Sequence, residues 1–362
     1  MGLELAEIFS RHGIEYDQQN QGQIPGQQRK AMRAIVRCRT EALGGHIYQC
    51  QECEERRYSY HSCRNRHCPK CQHENGQEWL SAQQALLLNT PHFLLTFTLP
   101  AEIRALALGH QELIYNLLFR TSAAAAQSLA WDSRFVGGQI GLIGVLHTWG
   151  RNLSYHPHVH YLVPAGGLGS DGTWKSARNN FLFPVKALSR LFRGKFRHVF
   201  QKTSLFDQIP TTVWRQEWVV HCQAVGNGVG ALKYLAPYIF RVAISNNRIL
   251  KLEDGQVTFR YQASDTGKTT RLSVSTLEFI RRFLCHVLPK GFVKIRYYGF
   301  FSASSRLKLA AVREQLDDPA TELVSAAEEE ISHQPRHSIP CPRCGHVMIR
   351  YQRIFPREWV PP

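Results

Sequence analysis

The chain has 362 residues, and 43% of them are hydrophobic, which is enough for two or three domains with apolar cores and excludes a disordered polar tail. Its 44 Lys and Arg residues outnumber the 28 Asp and Glu residues, so the formal net charge is +16 and a polyanionic partner is favoured. Residues 101–200 carry +7 and residues 201–310 carry +10, whereas residues 311–362 carry −2. We interpret the basic middle of the chain as a groove for a phosphate backbone; a basic solvated face is the alternative.

The sequence has no stretch of about 18 uncharged apolar residues, and its first residues lack the pattern of a secretory signal. We therefore expect a cytoplasmic protein that does not contact a membrane. In a reducing compartment, clustered cysteines indicate metal binding rather than disulfides.

In chain order, the first part of the sequence predicts a helix over 25–37, a Cys/His block over 38–73, a helix over 74–88 and a strand over 93–99. The remaining pattern predicts a helical segment over 101–131, strands over 138–149 and 153–163, helices over 211–225 and 230–240, a β-rich patch over 243–272 with turns at 246–247 and 254–255, and an acidic helix over 314–330. Strands and helices mix without regular βαβα alternation, which predicts an α+β fold. We expect three domains, over 1–90, 91–310 and 311–362, the last being an appendage.

The N-terminal block contains a zinc-binding pattern. Two CxxC pairs, Cys50/Cys53 and Cys68/Cys71, are separated by 14 residues, close to the spacing of zinc ribbons and knuckles. Each tight turn directs two thiolates at one ion, and the bound zinc supplies folding energy that a short, loop-rich module lacks.

More candidate ligands remain than one ion can use. A second zinc site is a hypothesis with Cys38 and Cys63 as its first candidates, whereas His46, His61 and His67 are either ligands or ordinary polar residues. Near the C-terminus, Cys341 and Cys344 form half a site, which histidines at 333, 337 or 346 could complete. Cys222 and Cys285 lie in apolar surroundings and are interpreted as core residues.

A second candidate metal site lies in the predicted strand 153–163. His156, His158 and His160 alternate with apolar or aromatic residues, so in a strand their side chains share one face. His158 and His160 can chelate one divalent ion, and His147 on the preceding strand is favoured as third ligand over His156, because three histidines on one strand are too linear.

Two tyrosines follow in the most basic part of the chain. Tyr234 and Tyr238 are four residues apart, so on a helix they share one face, flanked by Lys233 and Arg241. Paired tyrosines on a helix are usually core residues. The cations and the preceding histidine site favour the alternative that a tyrosine hydroxyl attacks phosphorus, as cations can stabilise its phenolate.

The ordered motifs HSCRNRHCPKCQ, HPHVH and YLAPY resemble those of the two-tyrosine HUH transposases of bacterial rolling-circle insertion sequences, over roughly residues 25–300. The resemblance implies an antiparallel palm-like HUH endonuclease sheet with flanking helices over 91–310, and a zinc-binding, DNA-binding domain over 1–90. It also implies that the protein cleaves and rejoins single-stranded DNA at transposon ends and targets, through a 5′-phosphotyrosine intermediate.

On this hypothesis, Tyr234 and Tyr238 are catalytic, Lys233 and Arg241 bind DNA, and the histidines hold Mn²⁺ or Mg²⁺, of which Mn²⁺ suits imidazole better. The cysteines hold structural Zn²⁺. The sequence has no GxxxxGK[ST] loop, so strand displacement would require a host helicase. The alternatives are a zinc-finger DNA-binding regulator without catalysis, which leaves the histidine strand unexplained, and a histidine-metal hydrolase of small substrates, which leaves the charge unexplained.

Overall fold

The computed structural model describes residues 2–71, 80, 83–178, 180–232, 243–263, 266–316 and 339–356. Helices in these ranges are Leu5–Gln19 (α1), Gly26–Arg37 (α2), Ala101–Gly109 (α3), Gln111–Ala130 (α4), Val185–Phe200 (α5), Thr276–Leu284 (α6) and Arg306–Gln315 (α7). Strands are Gly45–Cys50 (β1), Arg56–Tyr60 (β2), His92–Thr98 (β3), Leu142–Trp149 (β4), Tyr155–Pro164 (β5), Gly166–Leu168 (β6), Trp174–Ser176 (β7), Val220–Ala224 (β8), Ile249–Glu253 (β9), Gln256–Gln262 (β10), Thr269–Ser275 (β11), Ile295–Tyr298 (β12), Ile339–Pro340 (β13) and Val347–Ile354 (β14).

The chain folds into two compact units. The terminal unit contains both chain ends and consists of residues 1–75, 241–287 and 327–362; the central unit consists of residues 76–240 and 288–326. These units group the chain differently from the three predicted domains. The C-terminal segment joins the N-terminal one because β14 pairs antiparallel with β1.

A five-stranded antiparallel sheet with strand order β12-β4-β5-β3-β8 is the centre of the central unit. Side chains alternate between its two faces. On one face, Phe97 contacts Phe192 of α5 with ring centroids 5.1 Å apart, and Tyr161 contacts Phe119 of α4 at 6.4 Å. This face forms the main hydrophobic core, in which the helices α4 and α5 pack against it.

The opposite face of this sheet carries polar side chains from three adjacent strands, and we call it the histidine face; these side chains are Thr96, His147, His158 and His160. Part of it is also apolar. The opposed pair Ile143 and Leu162 belongs to a second buried cluster together with Phe300, Phe301 and Val312. The histidines thus lie beside a packed region rather than on a bare surface.

In the terminal unit, α1 packs against α2 and α6, and the rings of Phe9 and Phe283 are 5.4 Å apart. A three-stranded sheet, β11-β10-β9, adjoins α6. Asp254 and Gly255 link β9 to β10 with φ of 49° and 68°, the left-handed conformation of a two-residue hairpin turn. A four-stranded sheet, β13-β14-β1-β2, completes the described part of this unit.

Most predicted elements in the described ranges are confirmed, namely α2, β3, β4, β5 and the β-rich patch after residue 243. The segment 101–131 is two helices, because α3 ends at Gly109 and α4 begins after His110. The helix predicted over 211–225 is wrong: a 3₁₀ turn, Thr211–Trp214, is followed by β8. Pairing of β8 with β3 outweighs its local helical pattern.

The predicted helices over 74–88, 230–240 and 314–330 lie largely outside the described residues. No helix within the described ranges is both long and apolar enough to cross a lipid bilayer. The coarse expectation of mixed α and β structure with antiparallel sheets is confirmed.

The hydroxyl of Tyr161 gives a test of the core. It is fully buried, lies 2.8 Å from the Ser122 hydroxyl and donates to the Phe119 carbonyl at 3.0 Å. We expect Tyr161→Phe to reduce the free energy of unfolding by about 1–2 kcal/mol, since buried hydrogen-bonding groups lose their partner. The midpoint of thermal unfolding should fall by about 2–4 °C per kcal/mol. Tyr58→Phe, at a side chain 55% exposed, is the matched control, and equal midpoints for both variants would contradict this interpretation.

Candidate metal centres and their surroundings

Three histidines meet on adjacent strands of the central unit. The strands β4 and β5 pair antiparallel, with His147 directly opposite His158 and Val145 opposite His160. Residues two apart on a strand share a face, so all three imidazoles lie on the histidine face. The prediction that His147 lies on the neighbouring antiparallel strand is confirmed.

The three rings form a compact triangle. Ring centroids are 4.5 Å apart for His147 and His160, 4.8 Å for His158 and His160, and 5.1 Å for His147 and His158. One ligand nitrogen from each ring lies within 4.8 Å of the other two. This arrangement allows all three side chains to share one divalent cation.

Hydrogen bonds orient two of the rings. The Nδ1 of His158 donates a hydrogen bond to the backbone carbonyl of His156, two residues earlier, at 2.6 Å. His160 Nδ1 lies 2.8 Å from the Thr96 hydroxyl on β3. If each Nδ1 carries the proton, each Nε2 is left with a lone pair for a metal, the arrangement that metal-binding histidines usually have.

The protonation state also fits metal binding. Burial lowers the pKa of His158 to about 4. Burial, with smaller contributions from the neighbouring histidines, lowers the pKa of His147 and of His160. All three rings are therefore neutral at neutral pH, which is the form that ligates a cation.

His156, the alternative third ligand, is engaged elsewhere. Its Nδ1 accepts a hydrogen bond from Arg104 of α3 at 2.9 Å, and it is not part of the triangle. The geometry therefore favours His147 over His156. His221 lies exposed on β8, opposite Thr96.

Cationic side chains lie close to the triangle. The Lys294 ammonium is 4.8 Å from the centroid of the Trp149 ring, which in turn stacks on His147 with a centroid distance of 6.1 Å. Arg104 contacts His156 beside the other end of the site. Thr96, Arg104 and Lys294 are not among the site residues predicted from the sequence. Of these three, only Thr96 could have been found from the sequence, because it is a polar residue that alternates with the apolar residues of its strand.

The terminal unit contains a cluster of four cysteine thiols, Cys38, Cys63, Cys68 and Cys71, whose Sγ atoms lie within 4.8 Å of one another. The Sγ atoms of Cys38 and Cys71 are 3.4 Å apart, and those of Cys63 and Cys71 are 3.6 Å apart. These distances exceed the 2.0 Å of a disulfide and approach the roughly 3.8 Å that tetrahedral zinc coordination gives. Hydrogen bonds from the Cys63 and Cys68 thiols lower the pKa of Cys38.

The predicted grouping of Cys50, Cys53, Cys68 and Cys71 around one ion is wrong. Cys68 and Cys71 join Cys38 and Cys63 instead. The physical reason is that Cys38 directly follows α2 and its Sγ accepts from the Cys63 N–H at 3.5 Å, which completes four ligands without the other CxxC pair.

The other CxxC pair meets the C-terminal one. Cys50 and Cys53 form a second cluster with Cys341 and Cys344, so cysteines rather than the candidate His346 complete the C-terminal pair. The other two candidate histidines, at 333 and 337, lie outside the described residues. Pairing of β1 with β14 brings the two pairs together.

The structure also places the cysteines predicted to lie in the core and two of the candidate histidine ligands. Cys285 is buried and Cys222 is half-buried, as expected for core residues. The ring Nε2 atoms of His46 and His61 are 3.4 Å apart, and neither ring belongs to a cysteine cluster.

The predicted tyrosine segment lies outside the described residues, and with it Lys233, Tyr234, Tyr238 and Arg241. The last described residues before it are Ala231 and Leu232. Both belong to the apolar cluster that contains Ile143 and Leu162 of the histidine face. The last two described residues before the segment thus pack on the histidine side of the sheet.

Comparisons with known proteins agree with this combination of sites. A family model described as "Putative transposase" matches residues 141–308, and one described as "Transposase zinc-binding domain" matches residues 8–99. "Putative transposase y4qJ" of Sinorhizobium fredii (strain NBRC 101917 / NGR234) is 40% identical over 389 aligned positions, covering 100% of this chain and 98% of that protein.

"Transposase for insertion sequence element IS801" of Pseudomonas savastanoi pv. phaseolicola is 30% identical over 289 positions, covering 74% of this chain and 68% of that protein. No solved structure matches the chain. The matches define the chain as a transposase that contains a zinc-binding domain. More specifically, it belongs to the Y2 transposase family, with a zinc-binding domain of the IS91 type.

The Thr96 hydroxyl provides a test of the histidine triangle. Thr96→Val keeps the shape of the side chain but removes the partner of His160 Nδ1. We expect the affinity of the full chain for Mn²⁺ to fall by about 10-fold, measured by calorimetric titration, because loss of such a partner frees the ligand ring.

Thr121→Val is the matched control, since its hydroxyl donates only to the Leu117 carbonyl within α4. Mn²⁺ affinity that is unchanged in Thr96→Val would show that this hydroxyl does not position a ligand.

Proposed function

We propose that this transposase cleaves and rejoins single-stranded DNA at transposon ends and targets, through a 5′-phosphotyrosine intermediate, during rolling-circle transposition. The observation that carries the proposal is the triangle of neutral, oriented imidazoles on the histidine face of a member of the Y2 transposase family. We also propose that the five-stranded antiparallel sheet is the palm-like sheet of an HUH endonuclease. Its antiparallel pairing supports this assignment, as does the arrangement in which α4 and α5 pack on one face and the three histidines lie on the other.

His147, His158 and His160 would hold the catalytic cation. Mn²⁺ fits this donor set better than Mg²⁺, since three imidazole nitrogens are poor ligands for a hard cation that prefers oxygen. A bound cation would polarise the scissile phosphate and offset the negative charge that develops on it.

Tyr234 and Tyr238 are the proposed nucleophiles. The hydroxyl of one tyrosine loses its proton to solvent, and its oxygen attacks phosphorus as the bond to the 3′ oxygen breaks. That oxygen takes a proton and becomes a free 3′-OH. One phosphodiester replaces another, so no nucleotide cofactor is required. Ala231 and Leu232, the last described residues before the tyrosines, pack on the histidine side of the sheet, and this supports the assignment.

Basic side chains would position the DNA backbone. Lys294 and Arg104 lie beside the triangle, at its Trp149 and His156 sides respectively, and can contact phosphates that flank the scissile one. Lys233 and Arg241 are proposed to serve the same purpose next to the tyrosines. Strand displacement is assigned to a host helicase.

The terminal unit is proposed to bind DNA through its four-stranded sheet. Opposed positions on one face carry Arg57 and Arg350 on either side of Tyr48, with Arg353 opposite His46. All three arginines are exposed, and the sequences of β1, β2 and β14 contain no acidic residue. Such a face attracts phosphate and offers an aromatic ring for stacking.

Covalent trapping tests the catalytic proposal. We expect the full chain with Mn²⁺ and 5′-labelled and 3′-labelled single-stranded DNA of a transposon end to form a denaturation-resistant adduct that carries the DNA downstream of the cut. Tyr234→Phe with Tyr238→Phe should abolish the adduct, because phenylalanine has no nucleophilic oxygen. Mass spectrometry of the linked peptide identifies the residue.

Two further variants separate catalysis from binding. His158→Ala with His160→Ala should stop adduct formation while DNA affinity stays within about threefold, since phosphate contacts dominate affinity. Tyr297→Phe, which removes a hydroxyl that donates to Gln83, is the matched tyrosine control and should still form the adduct.

A double Tyr234/Tyr238 variant that still forms the adduct would refute the nucleophile assignment. Intact binding with no adduct in the unaltered protein under any divalent ion would favour the non-catalytic regulator.

Salt dependence tests the DNA-binding face. Arg350→Ala with Arg353→Ala should reduce the slope of log affinity against log salt concentration by about 1.4 for single-stranded DNA, since each lost phosphate contact contributes about 0.7. Arg11→Ala with Arg134→Ala is the control, because both arginines pair with carboxylates. An unchanged slope in the first variant would exclude this face from the interface.

A further inference from the structure

Two β-hairpins from opposite ends of the chain have the same turn. One turn follows β1 and contains Cys50 and Cys53; the other follows β13 and contains Cys341 and Cys344. In each, the N–H of the first cysteine donates to the carbonyl five residues later, at 2.9 Å for Cys50 and 2.7 Å for Cys341. In each, the first cysteine's carbonyl accepts from the N–H four residues later, at 3.1 and 2.9 Å respectively.

The residue after each second cysteine has a left-handed backbone. It is Glu54 in the first turn, with φ of 61°, and Gly345 in the second, with φ of 78°. This conformation is uncommon for a residue with a side chain, so its occurrence at the same position in both turns indicates a shared structural requirement.

The N–H groups in both turns also point at the same sulfur atoms. The first cysteine's Sγ accepts from the N–H groups two and three residues later, and the second cysteine's Sγ accepts from the N–H two residues later, in both hairpins. Such donors stabilise negative charge on sulfur, which is the charge that metal-bound thiolates carry.

The two turns face each other. The Sγ atoms of Cys50 and Cys344 are 3.4 Å apart and those of Cys53 and Cys341 are 3.5 Å apart, and all four Sγ atoms lie within 4.8 Å of one another. These distances are too long for a disulfide and near the roughly 3.8 Å edge of a tetrahedral zinc site.

The four-stranded sheet around these turns has almost no apolar core. Within its described residues, the buried hydrophobic cluster consists of Cys50, Cys341 and Met348, and most side chains of β2 and β14 are exposed. A sheet of this size needs a buried face or another source of stability. A metal bound at the cysteines would supply that free energy.

We propose that Cys50, Cys53, Cys341 and Cys344 bind a second structural zinc ion, which closes a zinc ribbon formed from both ends of the chain. This site is distinct from the Cys38 cluster, and two of its ligands lie outside both family-matched ranges, 8–99 and 141–308. Four thiolates in tetrahedral arrangement select zinc among common cations, with iron as the competitor. The ion fixes β14 beside β1, and with it the exposed arginines of the sheet.

Alkylation of the full chain tests the site without any substitution. Native protein is reduced with a phosphine, which is then removed under argon because phosphines add to maleimides. The protein is treated with N-ethylmaleimide, and its cysteine peptides are mapped by mass spectrometry. We expect Cys344 to resist alkylation although its side chain is exposed. All four thiols should become reactive together when a zinc chelator is added.

The proposal would be overturned if Cys341 and Cys344 were alkylated in metal-loaded protein while Cys38 and Cys63 remained protected. Protection that a stronger reductant removes, but a chelator does not, would indicate a disulfide and would overturn it as well.

Metal content provides the second measurement. The background is His158→Ala with His160→Ala, so that zinc at the histidine triangle does not contribute. We expect two zinc ions per chain by mass spectrometry of the elements, falling to one when Cys341→Ser and Cys344→Ser are added. Cys222→Ser with Cys285→Ser is the matched control and should keep two.

One zinc ion in the background protein, iron in place of the second zinc, or unchanged zinc content after the Cys341 and Cys344 substitutions would each refute the site. The outcome does not depend on DNA cleavage, so this proposal and the proposed function can fail separately.

Discussion

The antiparallel register of β4 against β5 is the constraint on which the histidine site depends. It places His147 opposite His158, while Val159 and Tyr161, on the other face, are buried under the helices. A slip of one residue would expose this apolar set and bury the imidazoles in the core, so the hydrophobic pattern fixes the register. The same alternation that builds the core therefore also assembles a metal-binding triangle on the opposite face.

The terminal unit is stabilised in a different way. Its helices bury aromatic residues such as Phe9 and Phe283, but its four-stranded sheet has exposed side chains on both faces. The metal ion proposed at Cys50, Cys53, Cys341 and Cys344 would replace the missing apolar core there. The sheet can then keep Arg57, Arg350 and Arg353 exposed, because its stability does not require apolar residues at those positions. On this proposal, the metal would stabilise the sheet and the arginines would stay exposed to phosphate.

Period-two alternation is a local property, so the shared face of His158 and His160 and the neighbouring strand with His147 could be predicted from the sequence. The grouping of the cysteines could not. A CxxC spacing defines a turn but not its partner, and Cys53 lies 288 residues from Cys341, which only strand pairing brings close. The prediction of a helix at β8 is wrong because the strand is defined by its long-range pairing with β3, which its local sequence does not reveal.

Pulsed electron paramagnetic resonance of Mn²⁺ bound to the full chain tests the histidine site most directly, because structural zinc is diamagnetic and silent. Coupling of the manganese electron spin to nitrogen nuclei reports imidazole ligands. The geometry predicts couplings from three histidine nitrogens, all lost in the variant His158→Ala with His160→Ala. A Mn²⁺ spectrum that shows only water and oxygen ligands, or nitrogen couplings that persist in this variant, would contradict the site.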